Sequence, residues 1–237
     1  MLGTIWSTKP ALLWIAGAVL LAQAGSEVEI TSEPHHHRAL ENPYVRVFKV
    51  EVPPRQATLT HYHRHDYWFV TLGASEVEND VEGKPPAKLQ LADGDTRFLP
   101  GGFAHIAKNL SDRPFQNLTI EFMQDHEVRK SPPPKWDEER GLDVLNGGTR
   151  HILSVDDGVR VSEIELQPGG VIPRHHHAGP HLVAAVSDLE LRSDVEGKGP
   201  STRQLQSGDV AWVPGGFTHT VTNVGTRGAK FITFEFH

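Results

Sequence analysis

Four histidines in the C-terminal half of the chain have the residue type and spacing of a metal site. His175, His177 and His181 lie in one short stretch, and His219 closes the run Pro-Gly-Gly-Phe-Thr-His further along. Neutral imidazole is the commonest side-chain ligand of divalent transition metals. Because side chains two residues apart on a strand point to the same face, the first three imidazoles can converge, and a second strand can bring the fourth. The spacing therefore predicts a metal ion held between strands.

The same histidine pattern occurs earlier in the chain, displaced by a constant 114 residues. The equivalent histidines are His61 with His175, His63 with His177, and His105 with His219. The match continues without a gap through Val45-Arg46-Val47 and Val159-Arg160-Val161, Asp80–Lys84 and Asp194–Lys198, Pro100–Phe103 and Pro214–Phe217, and Glu121-Phe122 and Glu235-Phe236. A gapless match of this length indicates duplication of one structural unit.

The residues around the histidines predict short β-strands joined by turns. Alternation of apolar and polar residues over 45–52 is typical of a half-buried strand, and glycine, proline and aspartate separate the runs that follow. A proline-rich, charged stretch interrupts this pattern between the repeats. The predicted organisation is a signal peptide at 1–24, a polar lead-in at 25–40, an N-terminal barrel at 41–124, a linker at 125–148 and a C-terminal barrel at 149–237.

Both repeats resemble the cupin superfamily. The second cupin motif, Gly-x5-Pro-x-Gly-x2-His-x3-Asn, is met by Gly94, Pro100, Gly102, His105 and Asn109, and again by Gly208, Pro214, Gly216, His219 and Asn223. Most of the first motif, built around His-x-His, is carried by 61–73 and by 170–181. The resemblance implies an all-β bicupin, with two tandem jelly-roll barrels that can each hold a metal.

The fourth ligand position departs from the cupin pattern. Cupins usually supply a glutamate three or four residues after His-x-His, but here the position holds Tyr67 in the first repeat and His181 in the second. Without a carboxylate ligand the ion keeps its full dipositive charge and becomes a stronger Lewis acid. The resemblance then favours histidine-ligated thiol and diketone dioxygenases and quercetinase-type bicupins over oxalate decarboxylases. The expected metal ligands are His61, His63, His105 and Tyr67 in the first barrel, and His175, His177, His181 and His219 in the second.

Several of these residues also have a purely structural interpretation. The histidines of the first repeat could simply hydrogen-bond inside a degenerate barrel, and Tyr67 could be a core residue. Asp66 has the wrong strand parity for a ligand unless the chain bulges. Glu121 and Glu235 are interpreted as part of a solvated outer face. The three histidines at 35–37 are interpreted as a solvated lead-in, with a weak third metal contact as the alternative.

The favoured function is a metal-dependent, dioxygenase-like oxidoreductase acting on a small oxygen-containing molecule. Neutral histidines suit Fe²⁺, which is favoured, and also tolerate Zn²⁺, Cu²⁺, Ni²⁺ or Mn²⁺. The alternatives are a non-catalytic cupin that binds a small molecule or a structural metal, and a metal-dependent isomerase, lyase or hydrolase. A four-histidine site without a vacant position would favour the non-catalytic alternative.

The N-terminus and the overall charge predict where the protein acts. Lys9 precedes a short apolar run that ends in Ala22-Gln23-Ala24, a typical cleavage site for a signal peptidase. The chain has no cysteine, which excludes thiolate ligands, disulfides and a lipoprotein anchor. A net charge of -7 excludes a typical nucleic-acid binder. We therefore expect a periplasmic or secreted protein without a stable membrane anchor, whose partners are a small molecule and, in a homo-oligomer, copies of itself.

Overall fold

The computed structural model describes residues 27–123, 142–156 and 158–236. The predicted signal peptide and most of the predicted linker lie outside these residues. Apart from one 3₁₀ turn at Ile30–Ser32, the regular structure of this part of the chain is β-strand. None of its helices has the length and apolar character needed to cross a membrane. The prediction of an all-β protein is confirmed.

The first half contains ten strands. They are β1 Val28–Glu29, β2 His36–Glu41, β3 Val45–Val52, β4 His61–His63, β5 Tyr67–Leu72, β6 Ser75–Val81, β7 Ala87–Leu91, β8 Thr96–Leu99, β9 Phe103–Asn109 and β10 Phe115–Phe122. These strands form two five-stranded sheets, with the orders β1-β4-β9-β6-β7 and β2-β3-β10-β5-β8. The first sheet carries the histidines of the first repeat, on β4 and β9.

The second half contains eight strands. They are β11 Leu142–Asp156, β12 Val159–His177, β13 His181–Ala185, β14 Leu189–Val195, β15 Ser201–Leu205, β16 Val210–Val213, β17 Phe217–Asn223 and β18 Ala229–Phe236. They join into one sheet of order β15-β14-β17-β12-β18-β13-β16, with β11 paired to β12. The long β12 pairs with β18 along its first part and with β17 along its last part. Its first part is therefore equivalent to β3, and its last part is equivalent to β4.

The pairing registers of the two halves coincide at the 114-residue displacement. In the first half His61 pairs with His105 and Val52 with Phe115, and in the second half His175 pairs with His219 and Leu166 with Ala229. Equivalent residues therefore occupy equivalent places in the two barrels, and the barrels can be compared position by position.

Alternate faces of the central strands serve two different cores. On β10, Leu118 and Ile120 point out of the first barrel and pack against Ile232 and Phe234 of β18 in one cluster between the barrels. The residues of opposite parity point into the barrel, where Phe115 joins the interior core. A salt bridge of 2.7 Å between Lys49 Nζ and Asp209 Oδ1 adds a polar contact across the halves. A strand buried on both faces leaves no solvated side for a charged residue.

The barrels extend beyond the predicted boundaries. Strand β2 lies almost wholly in the predicted lead-in, yet it pairs with β3 from His36 opposite Val50 to Glu41 opposite Arg46. Strand β11 begins at Leu142, inside the predicted linker, and pairs with β12. Their equivalent positions place β2 and β11 at the same site in each barrel, so both segments are part of the fold.

Candidate metal centres

Two neighbouring strands bring three imidazoles of the second barrel together. His175 on β12 is directly opposite His219 on β17, and His177 follows two residues later on the same face. The Nε2 atoms are 3.0 Å apart for His175 and His177, 3.1 Å for His177 and His219, and 3.0 Å for His219 and His175. The predicted convergence of these three side chains is therefore present in the structure. We call this cluster the C-terminal triad.

Hydrogen bonds at the outer nitrogens fix the tautomers of two members of this triad. His175 Nδ1 donates to the carbonyl oxygen of Pro173 at 2.7 Å. His177 Nδ1 donates to Glu235 Oε1 at 2.8 Å. A neutral imidazole with its proton on Nδ1 has only a lone pair on Nε2. The two Nε2 atoms at 3.0 Å thus present lone pairs to each other, and a cation bound between them would turn this contact into coordination.

The outer contacts of the triad also position its rings. Glu235 Oε2 accepts from Arg160 Nε at 2.7 Å, so one carboxylate connects this guanidinium to His177. Ser193 Oγ hydrogen-bonds His219 Nδ1 at 2.7 Å. Such contacts orient metal-binding imidazoles and increase their basicity. Glu235 is 9% exposed, which overturns its interpretation as a residue of a solvated outer face.

Electrostatics favour the neutral forms of His175 and His219 and the ionised form of Glu235. Burial, together with the neighbouring imidazoles of His175 and His177, lowers the pKa of His219 to about 3. Burial also lowers the pKa of His175. Burial alone would raise the pKa of Glu235, but the hydrogen bond from His177 and the charge of Arg160 bring it down to about 2. Neutral imidazole is the form that binds metals.

His181 lies beside the C-terminal triad rather than in it. Its ring stacks on that of His177 with centroids 4.0 Å apart and an interplanar angle of 20°. The group of nitrogens that converge on one point contains His175, His177 and His219 but not His181. The proposed coordination by His181 therefore stays a prediction. Burial lowers the pKa of His181 to about 3.

The first barrel repeats the cluster, and we call His61, His63 and His105 the N-terminal triad. Their ring nitrogens lie within 4.8 Å of one another, and all three residues are buried. His61 Nδ1 donates to Leu59 O at 2.9 Å, and His105 Nδ1 donates to Asn79 Oδ1 at 2.5 Å. Burial lowers the pKa of His61 to about 4 and that of His105 to about 3.

His63 distinguishes the N-terminal triad from its counterpart. Its buried Nδ1 has no hydrogen-bond partner among the described residues, and neither does the buried Oε1 of Glu121, which occupies the position of Glu235. With Nδ1 unengaged, His63 can carry its proton on Nε2 and donate to His105 Nε2 at 3.1 Å. The N-terminal triad can therefore satisfy itself without a cation. Burial raises the pKa of Glu121 to about 7, against the effect of Arg46.

Two more residues, Tyr67 and His36, lie beside the N-terminal triad. Tyr67 stacks on His63 with ring centroids 4.1 Å apart, as His181 does on His177, so its coordination also stays a prediction. The side chain of His36 is only 4% exposed, and its Nδ1 lies 2.5 Å from Oε2 of the buried Glu33. Its ring is 4.7 Å from that of His61. His36 therefore belongs to the barrel interior and not to a solvated lead-in.

The glycine-rich turn before each last histidine is held against the His-x-His strand. Gly102 N donates to His63 O, and Gly216 N donates to His177 O, each at 2.7 Å. A Cβ on Gly215 would lie 2.3 Å from the backbone of Gly179, so no larger residue fits there. In the first barrel, Asp66 Oδ1 accepts from Gly101 N at 2.7 Å. Asp66 therefore positions the turn.

Each triad faces a cavity, and the two cavities differ in size. The cavity of the second barrel has a volume of about 360 Å³ and includes the C-terminal triad, His181 and Glu235 in its lining. The cavity of the first barrel has a volume of about 70 Å³ and includes the N-terminal triad, Tyr67 and His36. The cavity of the second barrel is thus about five times as large as that of the first barrel.

The donor sets fit a divalent transition metal. Three neutral nitrogens from two strands, with second hydrogen bonds that fix their orientation, are typical of metal sites that keep further positions for substrate. No carboxylate oxygen converges with them in the part of the chain that the structure describes. Fold and site together define an all-β protein of the jelly-roll type, with two histidine triads in its described residues that are each able to bind a metal.

Comparison with known proteins agrees with this description. The family model "Cupin domain" matches residues 162–235, within the second barrel. Oxalate decarboxylase from Bacillus subtilis at pH 4.6 is similar in fold, with 16% identity and a TM-score of 0.57 over 88% of this chain and 75% of that chain. A structure concerned with the Mn(II) centres of the same enzyme gives 16% identity and a TM-score of 0.57 over 88% and 76%. A search of the curated proteins finds no significant match.

The second barrel therefore contains a cupin domain, which confirms there the resemblance in the motifs, and the whole chain is similar in fold to cupin enzymes. At these identities the solved structures show the fold alone. The comparisons do not distinguish the dioxygenase-like members of the superfamily from its other enzymes.

Proposed function

We propose that the protein is a metal-dependent oxidoreductase of the dioxygenase-like type, acting on a small oxygen-containing molecule in the second barrel. The observation that carries this proposal is the contact of Nε2 lone pairs at 3.0 Å between His175 and His177. Two imidazoles with fixed tautomers, His177 buried and His175 partly buried, are held in this contact at the edge of a cavity of about 360 Å³. A cation bound between them would turn the repulsion of the two lone pairs into coordination.

The ligand type supports oxidation and Fe²⁺. Three neutral imidazoles leave the metal's dipositive charge uncompensated, and imidazole suits iron, copper, nickel and zinc. When bound, a redox-active ion would supply Lewis acidity toward a substrate oxygen and electron transfer to dioxygen. Fe²⁺ is therefore our favoured metal, with Mn²⁺, Zn²⁺, Cu²⁺ and Ni²⁺ as the competitors that elemental analysis distinguishes.

The side chains of the barrel provide binding, orientation and exclusion of water. Arg160 and Glu235 hold the ring of His177, and Pro173 and Ser193 hold those of His175 and His219. Most of the surface that lines the cavity is apolar, so a bound molecule displaces water from the triad. A dry site strengthens the electrostatic interactions within it.

The test combines metal analysis with dioxygen uptake. Protein exported to the periplasm is purified without added metal, and its metals are measured before a screen of polyphenols and diketones for dioxygen consumption. We expect iron in the second barrel and consumption that disappears in the variant His175→Ala/His177→Ala. Bound metal with substrate turnover that proceeds equally well without dioxygen would contradict the assignment as an oxidoreductase.

A second candidate is a manganese-dependent lyase, favoured by the fold similarity to oxalate decarboxylase with its Mn(II) centres. It predicts manganese in the purified protein and release of carbon dioxide from a carboxylate substrate. Bound metal without turnover of any kind would favour a non-catalytic binding protein.

A further inference from the structure

The size difference between the cavities has a specific cause in the sequence. Three aromatic residues that fill the first barrel are replaced by smaller ones in the second: Phe48 by Ser162, Phe69 by Val183 and Phe115 by Ala229. Phe48 and Phe115 are 1% and 5% exposed in the first core. Several changes run the other way, and the largest of them is from Asn117 to Phe231. The second barrel is thus opened beside its triad, to a volume at the lower end of the roughly 300–1,000 Å³ of small-molecule sites.

Two polar groups in the opened cavity lack partners. Ser162 Oγ and His181 Nδ1 are buried without a hydrogen bond in the described part of the chain, and both residues line the cavity. Ser162 is 1% exposed. Buried polar groups in proteins are nearly always hydrogen-bonded, so these two require a partner inside the cavity. A ligand with a hydroxyl or carbonyl oxygen near its apolar part supplies one.

The wall of this cavity is also cationic, in a chain of net charge -7. The charged residues that line it are Arg150, Arg160, Lys198, Arg203 and Glu235, so four cations face one anion. Glu235 is engaged by Arg160 and His177. In the first barrel the positions of Arg150 and Arg203 hold His36 and Leu89. Compared with the cavity of the first barrel, the cavity of the second barrel is therefore both larger and more positively charged.

Arg150 is held in place and lies near the triad. It sits on β11 opposite Ile164 of β12, and its Nε and Nη2 donate to Asp143 Oδ2 at 3.0 Å and 2.7 Å. It lines the same cavity as His175, His177 and His219. A positioned guanidinium beside a metal site is suited to a carboxylate.

We propose that the C-terminal cavity binds a small amphiphilic carboxylate. Its hydrocarbon body packs on the aliphatic wall that includes Ile164, Ile172 and Leu191, and its carboxylate faces Arg150 and Arg203. An oxygen on the apolar part hydrogen-bonds Ser162 Oγ beside the triad. This inference rests on the proposed function in placing the substrate in the second barrel, and it adds the substrate's charge and shape.

Binding of three probes to metal-loaded and metal-free protein tests this inference by calorimetry. The probes are 3-phenylpropanoate, its neutral amide 3-phenylpropanamide, and oxalate. We expect the amphiphilic acid to bind about tenfold or more tightly than the amide, because a charge-assisted hydrogen bond to Arg150 is lost. Oxalate, which leaves most of the cavity empty, should bind more weakly than 3-phenylpropanoate.

Four variants separate the roles of space and charge. Ser162→Phe and Val183→Phe restore the side chains of the first repeat and should each abolish binding of the acid while the metal content stays unchanged. Arg150→Gln should reduce binding of the acid about tenfold or more and leave binding of the amide as it was. The matched control is Arg192→Gln, since Arg192 is exposed on β14, pairs with Asp194 and does not line the cavity.

The outcomes distinguish this inference from the proposed function. Equal affinity for acid and amide, tighter binding of oxalate, or unchanged binding after both cavity-filling substitutions would overturn the amphiphilic carboxylate. If 3-phenylpropanoate binds as expected but no dioxygen is consumed, the oxidoreductase assignment fails and the binding site stands. Far-ultraviolet circular dichroism and metal content show whether each variant is folded. If Ser162→Phe does not fold, Val183→Phe alone tests the effect of filling the cavity.

Discussion

The two barrels have equivalent strands and equivalent histidines, and they differ in what surrounds the histidines. In the second barrel the outer nitrogens of His175, His177 and His219 all have hydrogen-bond partners. In the first, the Nδ1 of His63 has none in the described structure, and Glu121 leaves an oxygen unsatisfied at the position where Glu235 binds His177. The cavities measure about 360 Å³ and 70 Å³.

This difference indicates that three converging histidines do not by themselves give two sites the same affinity for metal. Groups that fix the tautomer of a ligand prepare its lone pair for the metal, and a ligand without them must give up a competing hydrogen bond first. In the C-terminal triad, hydrogen bonds at Nδ1 direct the Nε2 lone pairs of His175 and His177 toward a metal, and the triad faces a cavity large enough for a small molecule. The N-terminal triad can hydrogen-bond internally and faces a much smaller cavity, of about 70 Å³. We therefore expect the second barrel to bind metal more tightly and to hold the substrate.

Removal of ligands should have the largest effect, and the largest difference between the barrels. The double variant His175→Ala/His177→Ala should lower the affinity of the tighter metal site by at least about a hundredfold. The matched variant His61→Ala/His63→Ala should leave that tighter site intact. Metal titration followed by elemental analysis after gel filtration measures both. Loss of the tighter site in the His61→Ala/His63→Ala variant instead would reverse the comparison.

Substitution of the two buried glutamates should give a smaller effect that again differs between the barrels. Glu235→Gln removes the anion that orients His177, and outer partners of ligands are worth about 10- to 100-fold in metal affinity. Glu121→Gln should change metal affinity little, because Glu121 does not hydrogen-bond His63. Competition with a chromophoric chelator gives both affinities. Equal losses in the two variants would show that Glu121 supports a metal ligand as Glu235 does.

The same two substitutions should change the stability of the metal-free protein with opposite dependence on pH. Burial raises the pKa of Glu121 to about 7, so its contribution is fully present below about 4.5 and is lost as the pH rises through 7. Glu235 has a pKa lowered to about 2 by His177 and Arg160 against the effect of burial, so its contribution is present above about 4.5 and is lost toward pH 2.

Urea unfolding at pH 5 and pH 8 measures this contrast. Glu121→Gln should raise the free energy of unfolding at pH 8 by on the order of 1–3 kcal/mol and change it little at pH 5. Glu235→Gln should lower it at both values, since the side chains of Arg160 and His177 then lose a buried anion. A Glu121→Gln protein that is less stable than the wild type at pH 8 would rule out a strained carboxylate.

Much of the site could be predicted from the sequence because its signals are local. Strand parity brings His175 and His177 to one face, and the 114-residue repeat places His219 and His105 in register with them. The glycine-rich turn of the second motif is equally local. These features depend on neighbours along the chain or on an equivalent residue in the other repeat.

The buried glutamates show where this reasoning stops. A polar residue between apolar ones on a strand usually faces solvent, but both faces of β10 and β18 are buried, so Glu121 and Glu235 point into the barrels. The recurrence of Arg46 with Glu121, and of Arg160 with Glu235, was the signal that could have identified a buried ion pair. The cavity difference depends on volumes summed over several strands, such as Phe48 against Ser162, which no local pattern reveals.

Anomalous diffraction from crystals of the metal-loaded protein tests the central claim most directly. The two-barrel comparison predicts the strongest anomalous peak about 2.1 Å from Nε2 of His175, His177 and His219, with a weaker peak or none at the N-terminal triad. A fully occupied site at His61, His63 and His105, with no peak between the imidazoles of the second barrel, would contradict it.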